Sequence, residues 1–160
     1  MVFNIEDVPK IGLKDWSLSI TGEVKNRCTF SYLQLKNDFP SRGLNSNLLC
    51  LRGVSIKGFW SGVSVEDLLD KAEPDKEAKW IEAKAYSGYS EPVKLRDLVQ
   101  EAAIVAFSLD GEQIPDKQGG YLRLIVPNKY AYKSVKWLNE LKLRSQNPSG
   151  FWEKKGYPLT

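Results

Sequence analysis

Cys50 ends an apolar run in the stretch NLLCLRG, and a glycine-containing stretch follows it. A cysteine thiolate is a soft ligand for late or heavy metals, and a position at the end of a strand leaves its sulfur accessible. A lone cysteine after two leucines is also typical of a small buried hydrophobic residue. The residues alone therefore leave two interpretations of Cys50, a metal ligand or a core residue. For Cys28 they favour only the second.

A second candidate is the basic stretch GGYLRLIVPNKYAYKSVKW at 119–137, which mixes cations with aromatic residues. Successive glycines let backbone approach a ligand closely, and cations with backbone N–H groups bind phosphate. The same residues would also suit a solvent-exposed basic face that binds no ligand, and nucleic-acid-binding surfaces use the same residue types. The residues concerned are Arg123, Lys129, Lys133, Lys136, Tyr130, Tyr132 and Trp137.

The third candidate is AYSGYSEP at 85–92, in which Tyr86 and Tyr89 flank Gly88. A tyrosine hydroxyl can donate a proton or a hydrogen bond to an oxyanion in an active site. Packing at the end of a strand is the structural alternative.

Composition excludes several classes of chemistry. Histidine is absent, which rules out Ser-His-Asp and Cys-His nucleophiles and every metal site that needs imidazole. The two cysteines fit neither a zinc spacing nor a disulfide scaffold. No GxGxxG, Walker, HExxH or CxxC motif occurs. Of the net charge of +3, residues 117–160 carry nine Lys and Arg against two Glu, so they hold +7 and the first 116 residues hold −4.

The chain has the composition of a soluble globular protein, with 42% hydrophobic and 27% charged residues. No apolar run is long enough to cross a membrane, and no export signal begins the sequence, so we expect a cytoplasmic location. At 160 residues without a linker or repeat, we expect one domain over residues 1–160.

Periodicity predicts a mixed α+β fold with short helices, because strands and helices do not alternate as in a doubly wound sheet. Ser64 is the predicted N-cap of one helix, and Asp110–Gly111 predicts a tight hairpin. Strands are predicted at 16–22, 46–51, 79–86 and 121–127, helices at 29–39, 64–72 and 94–102, and a glycine-containing loop before residue 64. Residues 134–145 are compatible with either helix or strand.

Taken in order, these motifs resemble the molybdopterin-binding catalytic domain of the sulfite oxidase family, over residues 3 to 143. The opening VPKIGLKDWSLSITGEV resembles the family's first strand. LLCLRGVSIKGFWSGVSVEDLL resembles its cysteine, Trp-Ser/Thr-Gly-Val and Leu-Leu helix. SGYSEPVKL, DGEQI and GGYLRLIVPNKYAYKSVKWL resemble its Gly-Tyr-Ser segment, its Gly-Glu hairpin and its Arg…Lys-Ser-x-Lys-Trp block.

The resemblance implies a molybdenum–molybdopterin cofactor, with Cys50 as the one protein thiolate on the metal. It implies that Arg123 and the segment Ser134, Val135 and Lys136 bind the pterin phosphate. Lys133, Gln118 and Asn4 match further cofactor positions. Arg52 and Tyr89 are the hypothesised substrate-side groups.

The implied function is oxygen-atom transfer to or from a small oxo-substrate of the sulfite or sulfoxide type, with a redox partner protein closing the cycle. The paired arginines that follow the cysteine in sulfite oxidases are absent here, so the substrate stays open between these types. Two alternatives of other classes remain: a cofactor-free binding or carrier module with this fold, and a nucleic-acid-binding domain that uses the basic stretch.

Overall fold

The computed structural model describes residues 8–49 and 55–148. Within these ranges, ten strands form two sheets and short helices connect them, which confirms the predicted α+β class. The strands are β1 (Ser17–Gly22), β2 (Cys28–Ser31), β3 (Arg42–Leu49), β4 (Ser55–Ser64), β5 (Trp80–Ala85), β6 (Ser90–Lys94), β7 (Ile104–Leu109), β8 (Glu112–Gln113), β9 (Arg123–Ile125) and β10 (Leu138–Arg144). The α-helices are α1 (Tyr32–Asn37), α2 (Val65–Ala72) and α3 (Leu95–Gln100).

Sheet 1 has the strand order β2-β1-β10-β5-β6, and only its β1–β10 pair is parallel. Sheet 2 has the order β3-β4-β7-β8, and β9 pairs with another part of β7. The Trp16 indole N–H donates to the Leu138 carbonyl at 2.9 Å, so the start of β1 is tied to a strand 122 residues later. The first and the last described strands, β1 and β10, therefore lie side by side in sheet 1.

Sheet 2 is covered on both faces near β7. Val105 and Phe107 belong to the larger hydrophobic core, which also contains side chains of sheet 1. Ile104 and Ala106 point to the opposite face and belong to a smaller cluster. Because side chains alternate along a strand, a strand covered on both faces is apolar at every position. The first four residues of β7, IVAF, show that continuous pattern, and all four are buried.

The predicted helix at 29–39 is wrong over its first residues, because β2 extends to Ser31 and α1 begins only at Tyr32. Ser31 is the reason for this boundary. Its hydroxyl accepts from the Gln34 N–H at 3.2 Å, and the Gln34 side chain accepts from the Ser31 N–H at 2.8 Å. This reciprocal capping box satisfies two donors that a helix start leaves unpaired. The predicted Ser64 N-cap of α2 is confirmed by its bond from the Glu66 N–H.

The predicted glycine-containing loop before residue 64 is also wrong, because residues 55–64 form β4. This strand pairs with both β3 and β7, and its register shifts between Ser61 and Gly62. A Cβ added at Gly62 would lie 2.0 Å from the Val105 carbonyl oxygen. The glycine therefore marks a bulge at which two backbones approach closely, not a loop.

The remaining predicted elements agree with the structure more closely. The Asp-Gly hairpin joins β7 to β8, with φ of 52° at Asp110 and 83° at Gly111. The ambiguous stretch 134–145 contains strand β10, whose register shifts between Leu138 and Glu140. That irregularity separates the buried Leu138 and Leu141 by three residues, a helix-like spacing. Four predicted elements are present with shorter bounds: the strands at 16–22, 79–86 and 121–127 and the helix at 94–102. The strand predicted at 46–51 is present as far as it is described.

In the part of the chain that is described, no helix has the length and apolarity needed to cross a membrane. The expectation of one domain over residues 1–160 stays a prediction, because residues 1–7, 50–54 and 149–160 lie outside the description.

We expect Gly62→Ala to lower the free energy of unfolding by about 2–3 kcal/mol, because the added methyl requires the β4 and β7 backbones to separate. Chemical denaturation measures this loss. Ser61→Ala on the same strand is the control and should change stability by less than about 0.5 kcal/mol. Equal stability of the two variants would contradict the close-approach explanation.

Candidate cofactor site

The guanidinium of Arg123 organises the segment that contains most of the predicted site residues. Arg123 is 1% exposed. Its Nε donates to the Ser134 carbonyl and its Nη1 to the Gln118 carbonyl, both at 2.9 Å. Longer contacts of 3.5 Å reach the Gln118 side-chain oxygen and the Ala131 carbonyl. One planar fork thereby joins the loop before β9 to the loop after it, at carbonyls that are more than ten residues apart in the chain.

Gly119 and Gly120 allow this loop to pack against protein side chains. A Cβ at Gly119 would come within 3.2 Å of Arg123 and Lys136 side-chain atoms, and a Cβ at Gly120 would overlap the Trp137 ring at 2.0 Å. The sequence suggested that these glycines admit a ligand. In the structure, their open sides face these side chains, so their role in admitting a ligand stays a prediction.

Trp137 forms a rigid base under the glycine pair. Its backbone N–H donates to the Gly119 carbonyl at 3.0 Å. Its ring centroid lies 5.8 Å from that of Trp16 and 5.5 Å from that of Tyr121. The aromatic cluster continues to Tyr32, whose burial raises the pKa of its hydroxyl. Tilted and edge-on ring contacts of this kind restrain the rings that make them.

The predicted phosphate-binding residues differ in burial. Ser134 is buried, and its hydroxyl accepts from the Val126 N–H at 2.9 Å. Val135 is buried as well, and its carbonyl accepts from the Leu124 N–H at 3.0 Å. Lys136 is half-buried. Lys136 is therefore the most accessible side chain of the three, while Ser134 and Val135 contribute bonds that fix the loop to the strand region 124–126.

Lys133 and Tyr89 meet in a buried network with Glu91. The Lys133 ammonium lies 3.6 Å from a Glu91 carboxylate oxygen and donates to the Pro92 carbonyl at 2.8 Å. The Tyr89 hydroxyl has two acceptors within reach, Glu91 Oε1 at 3.1 Å and the Tyr132 carbonyl at 3.3 Å. The turn that contains Tyr89 therefore contacts the loop that contains Lys133, as the resemblance implied for two segments of one site.

The structure thus brings together seven of the ten predicted site residues. These are Tyr89, Gln118, Arg123, Lys133, Ser134, Val135 and Lys136. The other three, Asn4, Cys50 and Arg52, lie outside the described residues.

Sequence reasoning missed Trp60 and Glu91. Trp60 is fully buried in the smaller cluster. Its ring centroid lies 5.7 Å from the Arg123 guanidinium carbon. Its indole N–H has no acceptor among the described residues. Leu48, two residues before Cys50, packs in the same cluster. Trp60 belongs to the Trp-Ser-Gly-Val motif, and that motif could have identified it as a candidate site residue from the sequence. Glu91 had none, because a single glutamate in a strand is ordinarily exposed.

A surface cavity of about 210 Å³ lies elsewhere, beside Trp16 and Tyr86. Its other lining residues are Ile11, Asp15, Ser17, Ser19, Asn139 and Glu140. None of the predicted site residues within 8–49 and 55–148 lines this cavity. Among the described residues, no group of three His, Cys, Asp or Glu side chains is arranged to hold a metal.

Comparison with known proteins identifies the same family as the motifs. The family described as "Oxidoreductase molybdopterin binding domain" matches residues 5–152. The uncharacterized oxidoreductase YuiH of Bacillus subtilis is 30% identical over 160 residues, which is 99% of this chain and 80% of YuiH. The protein-methionine-sulfoxide reductase catalytic subunit MsrP of Pseudomonas syringae is 28% identical over 155 residues, covering 86% of this chain and 46% of MsrP.

Two further similarities extend this result. A putative protein-methionine-sulfoxide reductase subunit, YedZ1 of Azospira oryzae, is 25% identical over 95% of this chain and 58% of its own length. The crystal structure of the sulfane dehydrogenase SoxCD from Paracoccus pantotrophus superimposes with a TM-score of 0.83 at 21% identity, covering 88% of this chain and 41% of that chain. At that identity the likeness shows a common fold. The chain belongs to the sulfite oxidase family of molybdopterin-binding oxidoreductase domains.

Proposed function

We propose that this oxidoreductase domain transfers an oxygen atom to or from a small sulfur oxo-compound of the sulfite or sulfoxide type. The names of the relatives support a sulfur substrate, since two are described as subunits of a methionine-sulfoxide reductase and one structure as a sulfane dehydrogenase. The chain covers only about half the length of MsrP and of YedZ1, so the substrate is proposed at the level of chemical class.

One observation carries this proposal: Arg123 gathers the predicted phosphate-binding loop beside the buried cluster of Trp60 and Leu48. The residues present fit a pterin cofactor. A buried indole N–H without an acceptor among the described residues is a donor that a bound polar group would satisfy. Lys136 adds a half-buried cation beside Gly119, and Leu48 leads the chain towards Cys50.

Each predicted residue then has a distinct proposed role. Cys50 provides the thiolate ligand, since a soft anionic sulfur suits a heavy metal. Lys136, with the backbone of the segment 134–136, binds the pterin phosphate, because cations and backbone N–H groups together form anion sites. Arg123 acts on this loop through carbonyls rather than through a side-chain contact with the phosphate.

When bound, the cofactor supplies the oxygen-atom-transfer chemistry at molybdenum. The chain orients the substrate and balances its charge. Arg52 is the proposed partner of an oxyanion, and Tyr89 the proposed hydrogen-bond donor to the substrate oxygen. For that role the Tyr89 hydroxyl must turn away from Glu91 and the Tyr132 carbonyl, its present acceptors. Gln118 and Asn4 are proposed cofactor contacts on the resemblance alone.

A redox partner protein is the proposed source or acceptor of electrons, because oxygen-atom transfer changes the oxidation state of the cofactor. The relatives described as reductase subunits support this proposal. The cytoplasmic location rests on the sequence alone and stays a prediction.

The decisive experiment measures molybdenum and pterin per chain in protein purified from cells that synthesise the cofactor. We expect a ratio near one for the unaltered chain and a loss of at least about tenfold in Cys50→Ala, because changing even a group that only orients a metal ligand typically costs about 10–100-fold in metal affinity or activity. Cys28→Ala is the matched control. The Cys28 thiol donates to the Asn26 carbonyl at 3.2 Å, so the molybdenum content of the Cys28→Ala variant should equal that of the unaltered chain.

Sulfoxide reduction by a chemical electron donor and sulfite oxidation by a chemical acceptor then distinguish the two substrate types. Unaltered protein without molybdenum would instead support a cofactor-free binding module.

Lys136→Gln should weaken retention of the cofactor by about ten- to a hundredfold, because a hydrogen bond to a charged group contributes about 1.5–3 kcal/mol. Dialysis followed by pterin quantification measures the loss. The control is Lys142→Gln on β10, which removes the same charge at a distance from the loop. Equal retention in both variants would argue against a phosphate contact at Lys136.

Arg123→Lys should lower the free energy of unfolding of the cofactor-free chain by about 2–4 kcal/mol. An ammonium cannot reproduce the fork that bonds both Gln118 and Ser134 carbonyls, and buried carbonyls are left unpaired. Arg96→Lys is the control, since the Arg96 side chain is 74% exposed. Denaturant titration that shows no difference between them would contradict the role given to Arg123.

A further inference from the structure

Glu91 is a carboxylate sealed inside the protein, and its two oxygens contact two different segments. It is 0% exposed in strand β6. Oε1 accepts a hydrogen bond from the Tyr89 hydroxyl at 3.1 Å, and Oε2 lies 3.6 Å from the Lys133 ammonium. A buried carboxylate is retained in a protein only when opposite charge and hydrogen bonds compensate for its lost hydration.

Lys133 is the matching buried cation. Its side chain is 2% exposed, and besides Glu91 its ammonium bonds the Pro92 carbonyl at 2.8 Å. β6 is an edge strand of sheet 1, and this bond satisfies the carbonyl of the residue that follows Glu91 in that strand. The positive charge of Lys133 is therefore balanced inside the protein by a residue of β6.

The same network holds the Tyr89 turn. The Tyr89 hydroxyl has one proton and two acceptors, the Glu91 carboxylate in β6 and the Tyr132 carbonyl on the loop. Tyr132 and Lys133 belong to the 3-10 turn Ala131–Lys133, and the segment 134–136 follows immediately. The contacts of Glu91 with Tyr89 and Lys133 thus connect the proposed substrate-side turn to the proposed phosphate-binding segment.

We propose that Glu91 is a positioning residue that pairs with Lys133 and so fixes segment 134–136 for the cofactor phosphate. This inference rests on the proposed function, since it takes that segment to bind phosphate. It changes the role proposed for Lys133 from direct contact with the cofactor to internal counter-charge. Lys136 then provides the side-chain charge that the phosphate contacts.

A double-mutant cycle of Glu91→Gln, Lys133→Met and the combined variant tests the pairing. Each single change leaves one buried charge without its partner and should lower Tm by roughly 10 °C. The combined variant, which has no buried charge here, should regain at least about half of the loss in Tm and retain at least about half of the molybdenum per chain of the unaltered protein.

Recovery of Tm without recovery of molybdenum in the combined variant would overturn the inference, because Lys133 would then contact the phosphate itself. Additive losses of Tm would overturn the pairing.

Val93→Ala is the control for loss of stability alone. Val93 is 3% exposed on the same strand, and its truncation should lower Tm by a similar amount while leaving the molybdenum content unchanged. An equal loss of molybdenum in Val93→Ala and Glu91→Gln would contradict a positioning role. If the unaltered chain holds no molybdenum, the proposed function and the positioning role fail together, whereas the Tm cycle still decides the pairing independently.

Discussion

The hydrogen bonds of the Arg123 guanidinium to backbone carbonyls are the interaction on which the site depends. A loop without regular structure leaves carbonyl oxygens that no neighbouring strand satisfies, and burying them unpaired is costly. Arg123 bonds the carbonyls of Gln118 and Ser134 from one side chain that is itself buried. The guanidinium stays charged at every physiological pH, so the same bonds place a permanent positive charge under the loop.

Both sheets contribute to holding that charge in place. Arg123 begins β9, whose pairing with β7 makes it part of sheet 2. Trp137 immediately precedes β10, the central strand of sheet 1, and its ring packs directly against Gly120. The loop therefore contacts residues of both sheets, and its position is set by the packing of one sheet against the other. A fold that separated these layers would not hold the same residues together.

The sequence allowed the family and the α+β class to be predicted, because these depend on ordered motifs and on hydrophobic periodicity, whereas the roles of the site residues stay predictions. Its errors occurred where tertiary contacts override local signals. Gly62 suggested a loop, but its missing side chain accommodates the neighbouring β7 backbone. The stretch 134–145 stayed open between helix and strand, and the structure shows that its strand β10 has a pairing irregularity between Leu138 and Glu140.

The network of Glu91 and Lys133 could not be predicted for a different reason. These residues are more than forty positions apart, and nothing local to either indicates that it is buried. Only the packing of β6 against the turn Ala131–Lys133 brings them together. The basic stretch could be identified from the sequence, whereas the burial of Arg123 and Lys133 inside the protein was visible only in the structure.

The parallel pairing of β1 with β10 has a consequence for how the protein is made. β10 lies between β1 and β5 in sheet 1, yet it is the last described strand to leave the ribosome. The sheet's centre is therefore missing until all the other described strands have been synthesised, and contacts between residues so distant in the chain form slowly. During that interval the edges of β1 and β5 are open, so nascent chains need protection from aggregation until the closing strand inserts.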